Sequence, residues 1–356
     1  MSKTKKQHYV PQFLLRNWSK DETTINLYQL DDNKTIDNVP IKGQAQEHYF
    51  YGEDQRIENL FGSLETETAT VIKKILLEDL SLSMEEKRCI YHFVAVQNIR
   101  TPSTITMLDD NATVMARNLL KLSNKFKDKE DLIDKTDVKV NNKPIWQLMM
   151  YLQSVPALFD LKLILLKANT QNMFMIGQNP VVVLNPYLIE KKWPESKKGL
   201  GMKGVFIVFP ISPMYSICLY DKSVYSLTEK SKIISLSDDE IDICNKFQFL
   251  TTNNCIYYNE WFEKFRLFNI ETEPYRKKEK VFIQNFQNIE NKRDVLSVMS
   301  SLDFPLEPKF KFLGIKQYAY FLQLNKQSVT RQEAIKSLEW AKEYYKSFPG
   351  KEKMFK

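Results

Sequence analysis

The stretch QRIENLFGSLETETATVIKKIL, residues 55–76, decides the fold class. Ile57, Leu60, Phe61, Leu64, Thr68, Val71, Ile72, Ile75 and Leu76 recur at three-four spacing, which puts them on one face of an amphipathic helix. On the C-terminal side the same period continues. Ser83 with Glu86 three residues on reads as a capping box, opening a second helix through Ile90, Phe93, Val94 and Gln97 to about Arg100. The pattern restarts at Thr101-Pro102, where Thr suits an N-cap and Pro the first helical position. The third helix carries Ile105, Leu108, Val114, Met115, Leu119 and Leu122. Residues 124–143 are polar and rich in Lys and Asp, as in a surface excursion. A further helix is expected over about 145–166, kinked or split by Pro156.

Beyond residue 172 the punctuation changes. Residues 173–176, 181–184, 205–210 and 216–220 are short β-branched or aromatic runs between Gly, Pro and Asn, the pattern of strands. Residues 238–249 read as a helix, 255–258 as a strand, and 261–268, starting at Trp261, as a helix. Toward the N-terminus, residues 26–30 alternate apolar and polar. The turn Asp31-Asp32-Asn33-Lys34 then pairs them with the segment near Ile36. Near the C-terminus a second capping box, Thr330 to Glu333, precedes a helix carrying Ile335, Leu338, Ala341 and Tyr345. The fold class is therefore α+β: a helix-rich N-terminal half packed with a small mixed or antiparallel sheet, plus a C-terminal helical appendage. The expected division is a core over 1–275, helical at 55–168 and sheet-containing at 172–260, and a basic, helical extension over 276–356.

Composition narrows the function classes. With 356 residues, 43% hydrophobic and 27% charged, wholesale disorder, collagen-like sequence and coiled coil are excluded. Residues 276–356 hold 17 Lys/Arg against 9 Asp/Glu, a net +8, while the other 275 residues are at −1. Such a local field favours an anionic partner such as nucleic acid, although a solvated lysine-rich face gives the same count. Cys89, Cys218, Cys244 and Cys255 form no Cys-x-x-Cys pair and show no zinc spacing with His8, His48 or His92, so no metal and no cofactor are expected. Free thiols, no apolar run long enough for a bilayer and no secretory h-region give the expectation of a cytoplasmic protein without membrane contact.

One constellation stands apart: Gln7-His8-Tyr9-Val10-Pro11-Gln12-Phe13-Leu14-Leu15-Arg16-Asn17-Trp18. His8 can move a proton near neutral pH. Arg16 can hold a phosphate or carboxylate through two bonds. The alternative is a purely structural clamp, in which these groups tie the N-terminal segment to the helices.

This opening resembles that of the bacterial "domain of unknown function 4238" family, whose members begin with a His-Tyr-Val-Pro-Gln-x-x-Leu-Arg-x-Phe-like signature. His8, Tyr9, Val10, Pro11, Gln12, Leu15 and Arg16 match, with Trp18 in the aromatic place. In order along the chain, the helix with Glu58 and Glu65 resembles the family's glutamate-bearing helix. Gln97-Asn98-Ile99-Arg100-Thr101-Pro102 resembles its Gln-x-x-Arg-Thr-Pro element. Asn179-Pro180-Val181 and Pro210-Ile211-Ser212-Pro213 resemble its sheet region. The resemblance spans roughly 5–265. Relatives commonly carry Ser-Asp before Asn-Pro, where this chain has Gly177-Gln178. The resemblance implies bacterial or phage-related genomes near defence genes, and hence an antiphage or nucleic-acid-directed role.

Two functions follow as expectations. The first is a toxic effector cleaving phosphodiesters without metal. In it His8 acts with Glu58 or Glu65 as acid and base, and Arg16 and Arg100 stabilise phosphate charge. Gln12 and Gln97, joined by Tyr9 and Asn179, position substrate. The second is a non-catalytic sensor binding nucleic acid or a phage protein, with the basic tail as contact. The aromatic residues Tyr318, Tyr320 and Phe321 fit core packing or base stacking.

Overall fold

The computed structural model describes residues 5–53, 55–121, 123–126, 128–168, 172–194, 197, 199–260, 263–276, 279–288, 293–302, 307–325 and 328–346. Leu122, Trp261 and the side chain of Tyr345 lie outside them. The chain opens with β1 (Lys6–His8), α1 (Gln12–Leu15), β2 (Thr24–Gln29), β3 (Lys34–Pro40) and β4 (Gln46–His48). Strands β2 and β3 form the expected hairpin around Asp31–Asn33. The helices α2 (Gln55–Leu76), α3 (Met84–Ile99) and α4 (Pro102–Lys121) then start where the sequence signals put them. At α3 the Ser83 hydroxyl accepts from Glu86 N at 3.1 Å while Glu86 Oε2 accepts from Ser83 N at 2.6 Å, both halves of the capping box. At α4 the Thr101 hydroxyl accepts from Thr104 N.

Next come α5 (Glu130–Asp134) and α6 (Lys143–Ser154), and then β5 (Lys162–Ala168). The expectation of one helix over 145–166 is corrected here. The helix stops before Pro156, and its second half is the inner strand of a sheet. Leu165 packs in one hydrophobic cluster, while Ile164 and Leu166 pack in another on the opposite face. A strand buried on both faces reads as a continuous apolar run, which periodicity cannot tell from a buried helix.

The sheet half follows as β6 (Ile176–Gly177), β7 (Val182–Leu184), α7 (Pro186–Glu190), β8 (Phe206–Pro210), β9 (Tyr215–Tyr220), β10 (Tyr225–Leu227), β11 (Ile233–Leu236), α8 (Asp238–Thr251), β12 (Cys255–Tyr258) and α9 (Phe265–Thr272). Five strands form one mixed sheet, β11-β5-β9-β8-β7, in which only β11 and β5 run parallel. A second, antiparallel sheet has the order β3-β2-β12-β6. Helices α2 and α3 and the N-terminal segment cover one face of the five-stranded sheet. Helix α8 covers the other. The fold is α+β, as the sequence implies.

The segment after 276 is less helical than expected. It holds the antiparallel pair β13 (Glu279–Asn288) and β14 (Arg293–Leu302), then β15 (Leu313–Ile315) against β10, α10 (Gln317–Phe321) and α11 (Gln332–Lys346). Phe310, Phe312, Ala319 and Val329 pack in the same cluster as α8 and the sheet. Arg331, almost fully buried, donates from Nε to Asp160 Oδ2 at 2.8 Å. Its Nη1 donates to the Leu200 and Met202 carbonyls, and its Nη2 to the Ala157 carbonyl and Asp160 Oδ1. Tyr318, Tyr320 and Phe321 are exposed, which corrects the core-packing expectation for them.

Candidate functional site

The N-terminal segment is held where the helices meet. Trp18 Nε1 donates to the Phe174 carbonyl at 2.9 Å and Asn17 Nδ2 to the Ile211 carbonyl at 2.7 Å. Strand β1 pairs with β4, and the buried amide of Gln7 clasps the turn after β4: Oε1 accepts from Tyr51 N and Nε2 donates to the Gly52 carbonyl. This fixes His8 and Tyr51 relative to each other, and the Tyr51 hydroxyl donates to the His8 carbonyl.

Arg100 is the centre of the cluster. It follows the last turn of α3, where the negative end of the helix dipole suits a cation. It is fully buried, its guanidinium 5.8 Å from the ring centroid of Phe61 and 5.7 Å from that of Phe93. Its Nε donates to Gln97 Oε1 at 2.5 Å, and Nη1 donates to Glu65 Oε1 at 2.6 Å. Gln97 and Arg100 therefore share one helix face, as their spacing of three requires. Burial works against the Arg100 charge, but Glu65 and Tyr51 more than offset it and raise its pKa. Nη2 is buried and has no hydrogen-bond partner among the described residues.

His8 and Glu58 complete the cluster. Burial lowers the His8 pKa below the usual imidazole value, against the pull of Glu65 and the Lys42 backbone. His8 Nε2 is buried and, among the described residues, unpartnered. Burial, helped by the charge of Glu65, pushes the Glu58 carboxyl up to about 7. Glu58 and Glu65 lie two turns apart on α2, and both keep part of their surface open to solvent. Burial thus favours the neutral imidazole of His8 and the protonated carboxyl of Glu58, each within reach of the charges of Glu65 and Arg100.

Tyr9 joins through its backbone, whose carbonyl accepts from Gln97 Nε2. Its hydroxyl faces the sheet half and accepts from Gln178 Nε2 at 2.7 Å. His8, Tyr9, Glu58, Glu65, Gln97 and Arg100 are thus brought together, with Tyr51 as a member that no sequence signal marks. Gln12 and Arg16 are not part of the cluster. Arg16 is exposed and, among the described residues, bonds only to Gln12 Oε1, at 3.4 Å. Asn179 is separate too, its amide donating to Ser103 Oγ and the Thr251 carbonyl.

The Gly177-Gln178 departure has a steric counterpart. A Cβ at position 177 would lie 1.9 Å from Thr252 Oγ1, so the threonine occupies the space that a serine side chain would need. Gln178 fills the acidic position with an amide that satisfies Tyr9. Among the described residues no three His, Cys, Asp or Glu side chains come together to hold a metal ion, and no helix is long and apolar enough to cross a membrane.

No curated protein and no solved structure matches the chain. A family model described as Protein of unknown function (DUF4238) matches residues 6–261, which take in the N-terminal motif, both glutamates, the Gln97–Arg100 turn and the two sheets. With well over half its length covered by that match, the chain belongs to the DUF4238 family.

Proposed function

We propose that the cluster is an acid–base site for metal-independent phosphodiester cleavage in RNA, the chemistry of a toxic or antiphage effector. The reading is carried by one observation: among the described residues, His8 Nε2 and Arg100 Nη2, from distant segments of the chain, are both left without partners in one polar cluster. Buried polar atoms left unpaired are uncommon in a finished core and cost about 1–3 kcal/mol each. In this reading a phosphodiester enters past Glu58 and Glu65. His8 Nε2 takes the proton of a ribose 2′-hydroxyl, whose oxygen attacks phosphorus. The bond to the 5′-oxygen breaks, and protonated Glu58 delivers its proton to that leaving oxygen. The products are a 2′,3′-cyclic phosphate and a 5′-hydroxyl. Arg100 offsets the charge that grows on the phosphoryl oxygens, while Glu65 and Gln97 hold it in place.

The test is incubation of the purified protein with labelled RNA and DNA in excess chelator. Wild type is expected to yield cyclic-phosphate ends from RNA, with activity falling as pH rises through about 7, where Glu58 loses its proton. His8→Ala is expected to remove the activity without unfolding the protein. Intact RNA at stoichiometric enzyme, or equal activity in His8→Ala, overturns the proposal.

A further inference from the structure

A cleft of about 1230 Å³ lies away from this cluster, between the N-terminal half of α3, the start of β5 and the C-terminal elements α10 and α11. It exceeds the ~300–1,000 Å³ that encloses a small ligand, so its size fits a polymer. Lys87, Arg88, Lys162, Lys222 and Lys232 line it, and among the described residues none of the five has an ion-pair partner. The three acidic residues of the lining are already engaged. Asp160 is bound to Arg331, Asp221 accepts from Gly204 N and from Ser223, and Glu333 pairs with Lys336. The cleft therefore presents net positive charge to whatever enters it.

Its walls also carry aromatic faces. On one side Phe159, 36% exposed, packs against the rings of Tyr91 and His92 at about 6 Å. On the other, Tyr318 of α10 is 60% exposed. Cations that track a backbone, interleaved with rings on which bases stack, form a single-strand binding surface. An acidic peptide would use the charge and leave the rings idle. A lipid surface would not fit a concave groove.

We infer that this cleft binds single-stranded nucleic acid, with the five unpaired cations on phosphates and Tyr318 and Phe159 as stacking platforms. The inference uses none of the residues of the acid–base cluster. Its test is fluorescence anisotropy of the full chain with labelled oligo-thymidylate, which has no 2′-hydroxyl and so stays intact whatever the cluster does.

Five phosphate contacts predict that log K falls with log salt at a slope of about −3.5, and Lys87→Ala/Lys162→Ala/Lys222→Ala should cut it to about −1.4. Tyr318→Ala, at an exposed position, should weaken binding about fivefold or more. Lys230→Ala, outside the cleft, and His8→Ala should bind as wild type does. Absent binding at low salt overturns the inference, as does binding that survives the triple variant or is lost in His8→Ala. So does competition by polyglutamate, duplex DNA or anionic phospholipid vesicles as effective as that by unlabelled strand. A protein that binds the strand but leaves RNA intact refutes only the acid–base proposal.

Discussion

Arg100 and Arg331 are both buried arginines, and the chain treats them in opposite ways. Arg331 spends all five of its N–H groups on Asp160 and on three backbone carbonyls, those of Ala157, Leu200 and Met202. Arg100 is just as deeply buried, yet among the described residues neither its Nη2 nor His8 Nε2 has a hydrogen-bond partner. A guanidinium with every donor matched is a fastener, here joining the C-terminal segment to the start of β5. One with a donor left over, among ionisable groups, fits the phosphate-binding role proposed above.

Four experiments break or sharpen this contrast. The largest effect is expected from Arg331→Ala. It strands a partly buried Asp160 and three carbonyls, and should cost about 3–5 kcal/mol in urea unfolding. Arg100→Met should cost less, about 1–3 kcal/mol, because Glu65 is 26% exposed and can turn to water. The same change should abolish RNA cleavage. If Arg100→Met proves the more destabilising of the two, the distinction fails.

The third experiment concerns pH. Glu58 holds its proton more tightly folded than unfolded, so its contribution to stability is complete below about 4.5 and is lost as pH rises through about 7. His8 acts in the opposite sense. Its folded pKa lies below 6.5, so stability rises with pH in the window just under 6.5. Melting temperature against pH should show Glu58→Gln removing the decline toward pH 7, whereas Arg331 variants shift the curve without changing that slope. The smallest effect is expected for Arg16→Ala. An exposed side chain with one long contact should change stability by no more than about 0.5 kcal/mol and leave activity intact.

The legible parts of the chain were those governed by local rules. The Ser83–Glu86 box, the Thr101-Pro102 restart and the Asp31–Asn33 turn each satisfy backbone groups within a few residues, so their residue types can be read directly. Strand β5 was not legible, because burial on both faces erases the alternation that marks a strand. The same limit applies to the site. Gln97 and Arg100 were paired by helix geometry, and Glu58 and Glu65 by two turns of helix. Arg16 was misplaced because side-chain chemistry says nothing about which way a short helix faces. Tyr51 was missed because its role is set by a tertiary contact with the His8 backbone. The exposure of Tyr318 likewise depends on where α10 docks.

Strand β2, at residues 24–29, lies between β3 and β12, and β12 is not synthesised until residues 255–258. The Asn259 amide then donates to the Trp18 carbonyl and locks the opening motif from behind. At a ribosomal rate of ~5–20 residues per second, β2 waits for β12 for a period on the order of ten seconds or more. The bonds that join Gln7, His8, Tyr51, Glu65, Gln97 and Arg100 all lie within the first hundred residues, so that cluster precedes the second sheet, which is complete only once β12 has emerged. Chains that end before residue 255 therefore lack the strand that joins β2 to β6.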